Sequence, residues 1–60
     1  MNQMKEIIVE HIIAQGVSEK VARFVKPYKT FIGAEKFGMK WAIEKGFRFK
    51  HFIIHVKELI

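Results

Sequence analysis

Gly16, Gly33 and Gly46, with Pro27 between the first two, cut the chain into pieces no longer than a short helix. Nothing covalent ties those pieces together, because none of the 60 residues is a cysteine. That excludes a disulfide scaffold, a thiol nucleophile and any cysteine-based zinc site. A chain of this length buries only about 60% of its unfolded surface. Its stability must come from packing, from self-association or from a partner surface. Half of the residues are hydrophobic, too many for a disordered basic tail. The length suits a single domain, residues 1–60.

Helical spacing can be traced through each piece. From Gln3 to Gln15, Met4, Ile7, Ile8, His11 and Ile12 share one stripe, and Gln3, Glu6 and Glu10 mark a narrow polar face. Asn2 is placed to cap this helix and Gly16 to close it. Val9 and Ile13 fall off the stripe, so the piece is apolar over more than half its circumference, too much for a surface helix. It must be central or have two partners, and a homo-oligomer formed through helix 3–15 is one expectation.

The second piece opens with Ser18 as N-cap and Glu19 in the first turn, carries Val21, Phe24 and Val25, and is stopped by Pro27. The third sets Phe37, Trp41, Ala42 and Ile43 against Lys36, Lys40 and Glu44. Gly38 lies inside it at a cost of up to about 1 kcal/mol, which suits close approach of another backbone there. After Gly46, the residues Phe49, Phe52, Ile53, Val56, Leu59 and Ile60 fall on one third of a helix. Arg48, Lys50, His51, His55, Lys57 and Glu58 fall on the rest, with Ile54 among them. A strand competes over Phe47–Lys50, where the pattern alternates, but the alternation breaks from His51 to Ile54. The expected fold is all-α, a compact bundle of four short helices at roughly 3–15, 18–26, 34–45 and 48–59.

The net charge of +5 is unevenly distributed. Residues 1–19 carry Lys5 against Glu6, Glu10 and Glu19, a net −2, whereas residues 20–60 carry ten basic side chains against Glu35, Glu44 and Glu58, a net +7. Such asymmetry points to an anionic partner, nucleic acid or a membrane surface. The chain has no Asp, no Ser-His-acid set and no glycine-rich phosphate loop, so neither an enzyme nor a cofactor is expected. His51 and His55 stand four apart, as two metal ligands on a helix do, but Phe52, Ile53 and Ile54 lie between them where a zinc peptidase needs Glu. They read as solvated histidines, and His11 as a core or interface residue, with no metal site. Lys5, Glu6 and Glu10 interrupt any signal peptide. No uncharged stretch approaches the roughly 20 residues of a membrane span.

Basic and aromatic residues interleave between positions 20 and 52. The basic ones are Lys20, Arg23, Lys26, Lys29, Lys36, Lys40, Lys45, Arg48 and Lys50. The aromatic ones are Phe24, Tyr28, Phe31, Phe37, Trp41, Phe47, Phe49 and Phe52. In nucleic-acid binders this pattern supplies stacking platforms beside phosphate contacts. In membrane-active helices it supplies interfacial anchors beside headgroup contacts.

The short cationic, cysteine-free layout resembles the leaderless class II bacteriocins of Gram-positive bacteria, the aureocin- and enterocin-like group. Three features carry the likeness: the amphipathic opening from Met4 to Gly16, the Trp41-Ala42-Ile43 run, and the closing stretch from Gly46 to Ile60. The resemblance implies a saposin-like helical bundle, secreted without a signal peptide, that binds anionic bacterial membranes and permeabilises them. The nine basic residues above would then dock on lipid, and Trp41, Phe47, Phe49, Phe52 and Ile54 would penetrate it. The alternative expectation is a small basic helical binding module of phage or plasmid type, cytoplasmic, that binds nucleic acid or inhibits a host protein.

Overall fold

Residues 3–28 are rich in β-branched side chains. In the computed structural model, which describes residues 3–59, they form one long antiparallel hairpin of β1 (Gln3–Ala14) and β2 (Val17–Tyr28). A single helix, α1 (Phe31–Glu44), and a short 3-10 turn, η1 (Phe49–His51), lead to β3 (Phe52–Glu58). The sheet order is β2-β1-β3, so β1 is the central strand and α1 crosses one face of the sheet. This overturns the four-helix bundle and the saposin-like fold. Of the four expected helices only the third exists, and it starts three residues early, at Phe31. Asn2 and Ile60, expected in a helix cap and a helix stripe, lie outside the described residues.

Each correction has a local cause. The 3–15 segment reads as apolar over more than half a helix because Ile7 and Val9 face α1 while Met4, Ile8 and Ile12 stand among the acids of the open face. Lys5, Ile7, Val9 and His11 point toward α1, while Met4, Glu6, Ile8, Glu10 and Ile12 point to the open face. In β2 the pairing slips between Val9 and Glu10, leaving Val21 as a bulged residue. The bulge breaks the period of two, and Val21 and Phe24 acquire the three-residue spacing of a helical turn. Pro27, expected to stop a helix, lies in an edge strand, where its missing donor is tolerated. In β3, Phe52, Ile54 and Val56 face α1, and Ile54 is not on a polar helix face at all. Gly16 takes φ +77° in the hairpin turn and does not cap a helix.

Helix α1 begins at Thr30, whose hydroxyl accepts from the Gly33 N–H at 3.1 Å. It ends in a Schellman arrangement around Gly46 (φ +95°): Gly46 N–H donates to Ile43 O and Phe47 N–H to Ala42 O, both at 3.0 Å. Its buried stripe, Ala34, Gly38 and Ala42, is made of small residues, so the helix lies close on Ile7, Val9, Phe52 and Ile54. Lys5 is also buried, at 2% exposure. Its ammonium donates to Tyr28 O at 2.8 Å and stands 5.2 Å from the Phe31 ring centre, tying the end of β2 to the start of α1.

The open face of the sheet accounts for part of the charge asymmetry. The acidic side chains of β1 lie between basic ones of both neighbours. Arg23 Nε is 2.5 Å from Glu6 and His55 Nε2 is 2.9 Å from Glu10, which also accepts from the Ser18 hydroxyl at 2.8 Å. Lys57 stands across from Glu6 and Lys20 across from Glu10. These contacts are solvated and stabilise weakly. Glu6→Gln should cost about 0–1 kcal/mol, a shift of a few degrees in thermal unfolding followed by circular dichroism. A larger loss would show that the Arg23 contact holds the hairpin register.

Candidate functional site

Pairing across the sheet accounts for Arg23 and His55, and Lys20 and Lys57 stand opposite acids. Among the described residues no carboxylate lies within ion-pair distance of Lys26, Lys29, Lys36, Lys40, Lys45, Arg48 or Lys50. All seven lie on the helix-bearing side or in the loops at its ends. Among the described residues Lys20 and Lys57 on the open face form no ion pair either, but most of the cationic side chains without one lie on the side of the sheet that α1 covers.

The aromatics gather there too. Phe24 and Tyr28 project from β2 toward α1, which answers with Phe37 and Trp41 one turn apart. The Gly46 reversal brings Phe47 back onto Trp41 and onto His11 of β1. The result is a continuous row of six rings. In order along the row, ring-centre distances are 6.1 Å for Tyr28–Phe37, 5.0 Å for Phe37–Phe24 and 5.6 Å for Phe24–Trp41, then 6.3 Å for Trp41–Phe47 and 4.7 Å for Phe47–His11. The two Phe24 contacts are edge-on, the arrangement favoured by ring quadrupoles. Every ring in the row is half-buried.

Three of the unmatched lysines border this row. Lys26 Nζ sits 5.0 Å from the Phe37 ring centre and Lys45 Nζ 5.9 Å from that of Trp41. Lys40 lines a hollow of about 230 Å³ with Phe37, Trp41 and Glu44. An ammonium over an aromatic face is held by about 0.5–1 kcal/mol at exposed sites. It can be drawn away by a phosphate, leaving the ring face to a flat ligand.

The other expected contact residues are dispersed. Lys20 and Arg23 belong to the open face, beside a hollow of about 420 Å³ with Glu6 and Ile8. Lys29 is in the turn before α1, Lys36 is exposed on α1, and Arg48 and Lys50 flank Phe49 in and before η1. Of the apolar set, Trp41 and Phe47 are in the ring row and Phe49 projects, at 62% exposure. Phe52 is a core residue and Ile54 packs on Gly38. His51 is exposed in η1 and His55 pairs with Glu10, so they share no helix face. Among the described residues no group of three or more metal-ligating side chains converges. Phe24, Tyr28, Phe37 and His11 were not in the expected contact set. The signal for three of them was the interleaving with lysines, and only the bulged hairpin shows which rings meet. Comparison of the chain with protein-family models, with curated proteins and with solved structures found no match.

Proposed function

We propose that this protein is a binding module for single-stranded nucleic acid, taken up along the row of rings where α1 lies on β2. The observation that carries this reading is the row of six half-buried rings bordered by Lys26, Lys40 and Lys45. Unstacked bases have flat faces that partly exposed rings can meet, and each base so stacked is worth about 1–3 kcal/mol. The lysines would meanwhile exchange ring faces for phosphates. A lipid surface asks for side chains that project. Of the five apolar residues expected to penetrate a membrane, Phe49 alone is strongly exposed and Phe52 is buried; the other projecting apolar side chains, among them Ile13, Val17, Ile32 and Ile43, are outside that set.

The test uses the single tryptophan, which stands in the row. An oligonucleotide of about 12 unpaired residues, added at about 50 mM salt, should quench Trp41 emission saturably. A duplex of equal length should bind more weakly. Each phosphate contact on a single strand contributes about 0.7 to the salt slope, so three lysines predict a slope of log affinity against log salt near −2. No binding at that salt would overturn the reading, as would duplex binding that leaves Trp41 emission unchanged. Anionic vesicles form the comparison arm. Dye leakage from them at micromolar protein, without oligonucleotide binding, would also overturn it.

A further inference from the structure

We infer that a second copy of this chain adds to the free edge of β3, antiparallel, to make a six-stranded sheet with both helices on one face. The two edges of the sheet differ in kind. The β2 edge carries the Val21 bulge, Lys20, Lys26 and Pro27, all devices that discourage a further strand. The β3 edge runs Phe52-Ile53-Ile54-His55-Val56 before its first lysine, and its pairing with β1 is unbroken by any bulge.

The backbone of that edge is set to pair. Leu59 N–H donates to Met4 O at 2.9 Å, which fixes the phase of the ladder. Alternation then turns the polar groups of Ile53, His55 and Lys57 toward β1 and those of Phe52, Ile54, Val56 and Glu58 outward. Among the described residues nothing receives them.

Beside this edge, α1 and β3 enclose a hollow of about 260 Å³ lined by Glu35, Met39, Phe49, Phe52, Ile53 and Ile54. Ile32 and Ile43, seven residues before and four after Met39, continue that side of the helix and are 66% and 53% exposed. Ile53 is 43% exposed. Buried hydrophobic residues, by contrast, are few: Ile7, Val9, Ala34, Ala42 and Phe52. A small chain with so slight a core needs another surface.

The occupant that matches is the chain itself. Full antiparallel overlap of β3 places Ile54 against Val56 of the partner subunit. The strand is preceded by Arg48 and Lys50 and ends in Glu58, so reversing a copy brings its cationic end to this acid. Helices centred over β1 in the two copies would lie about 14 Å apart, three strand spacings. Helices in direct contact lie about 8–10 Å apart. The wider gap calls for long side chains, and Met39 and Phe49 are on that side.

Sedimentation of the full chain without nucleic acid, from micromolar to near-millimolar protein, tests this. Twice the chain mass is expected. Ile53→Lys sets a cation across from Lys57 of the partner subunit, at a site too exposed to unfold the monomer. It should sediment at the single-chain mass with an unchanged circular dichroism spectrum. Ile13→Lys, at the hairpin tip, should leave the doubled mass intact. In amide exchange, Ile54 and Val56 should be protected in the parent and open in Ile53→Lys. A parent that stays at single mass throughout overturns the inference, as does Ile53→Lys at doubled mass. Neither result touches the ring row between α1 and β2.

Discussion

Gly38→Ala should destabilise the protein even though it improves the helix. In an exposed helix interior this replacement gains about 1 kcal/mol. Here an added Cβ would stand 2.8 Å from Ile54 Cγ2, 3.1 Å from Ile7 Cγ2 and 3.2 Å from Ile54 Cδ1. Those are branched side chains under a helix; Ile7 is wholly buried and cannot swing away, and Ile54 can give only toward the hollow beside β3. Overpacking of this kind costs about 1–3 kcal/mol. The two effects leave a net loss of up to about 2 kcal/mol. With about 4–8 °C per kcal/mol in a domain of this size, Tm should fall by roughly 10 °C. Gly38→Val adds two further methyl groups at the same point and should prevent folding. Ile54→Val removes the Cδ1 and should couple favourably with Gly38→Ala, by about 0.5 kcal/mol or more in a double-mutant cycle. A rise in Tm for Gly38→Ala would mean that α1 stands off the sheet.

The same glycine marks how far the fold could be read from the chain. Its cost inside a helix pointed to close approach of another backbone, whereas the atoms that stand against it are the side chains of Ile7 and Ile54. The helix around it was legible because Phe37, Trp41 and Ala42 on one side and Lys36, Lys40 and Glu44 on the other leave one period possible, and Gly46 closes it. The strands were not legible, for reasons that lie in their positions. β1 carries apolar side chains on its open face as well as under α1, so Ile7-Ile8-Val9 has no polar alternation to betray a strand, and its breadth of apolar surface gave only its centrality. β2 lost its alternation to the bulge at Val21. In β3 the exposed Ile53 beside Phe52 and Ile54 disguised a period of two as a helical stripe, and that residue is at the edge where a second copy is inferred. For the candidate site, local sequence held both ingredients, rings and lysines. It could not say which meet, because Phe24 meets Phe37 and Trp41 only when α1 folds back over β2, and Phe49 and Phe52 pair with each other elsewhere.

Trp41→Leu should weaken oligonucleotide binding about tenfold, the equivalent of 1.4 kcal/mol and within the range of one stacked base. Leucine keeps most of the apolar contact with Phe24 and Phe47, so the fold should survive, whereas alanine would leave a cavity in a small core. The loss should be the same at every salt concentration, because a ring face carries no net charge and releases no counterion. Lys26→Met and Lys45→Met make the opposite test. Both ammonium groups are exposed and neither has an acidic partner among the described residues, so stability should hardly change. Each should flatten the salt slope by about 0.7, with the affinity loss largest at low salt and vanishing as salt rises. Since the first variant removes the emission signal, all three are compared by anisotropy of a labelled single strand. Folded Trp41→Leu that binds as the parent does would remove the rings from the interface. Lysine variants with an unchanged slope would place the phosphates elsewhere, with Arg48 and Lys50 around Phe49 as the next surface to mutate. Only the combination of a salt-independent loss at Trp41 and salt-dependent losses at Lys26 and Lys45 places bases on the rings and phosphates on the rim.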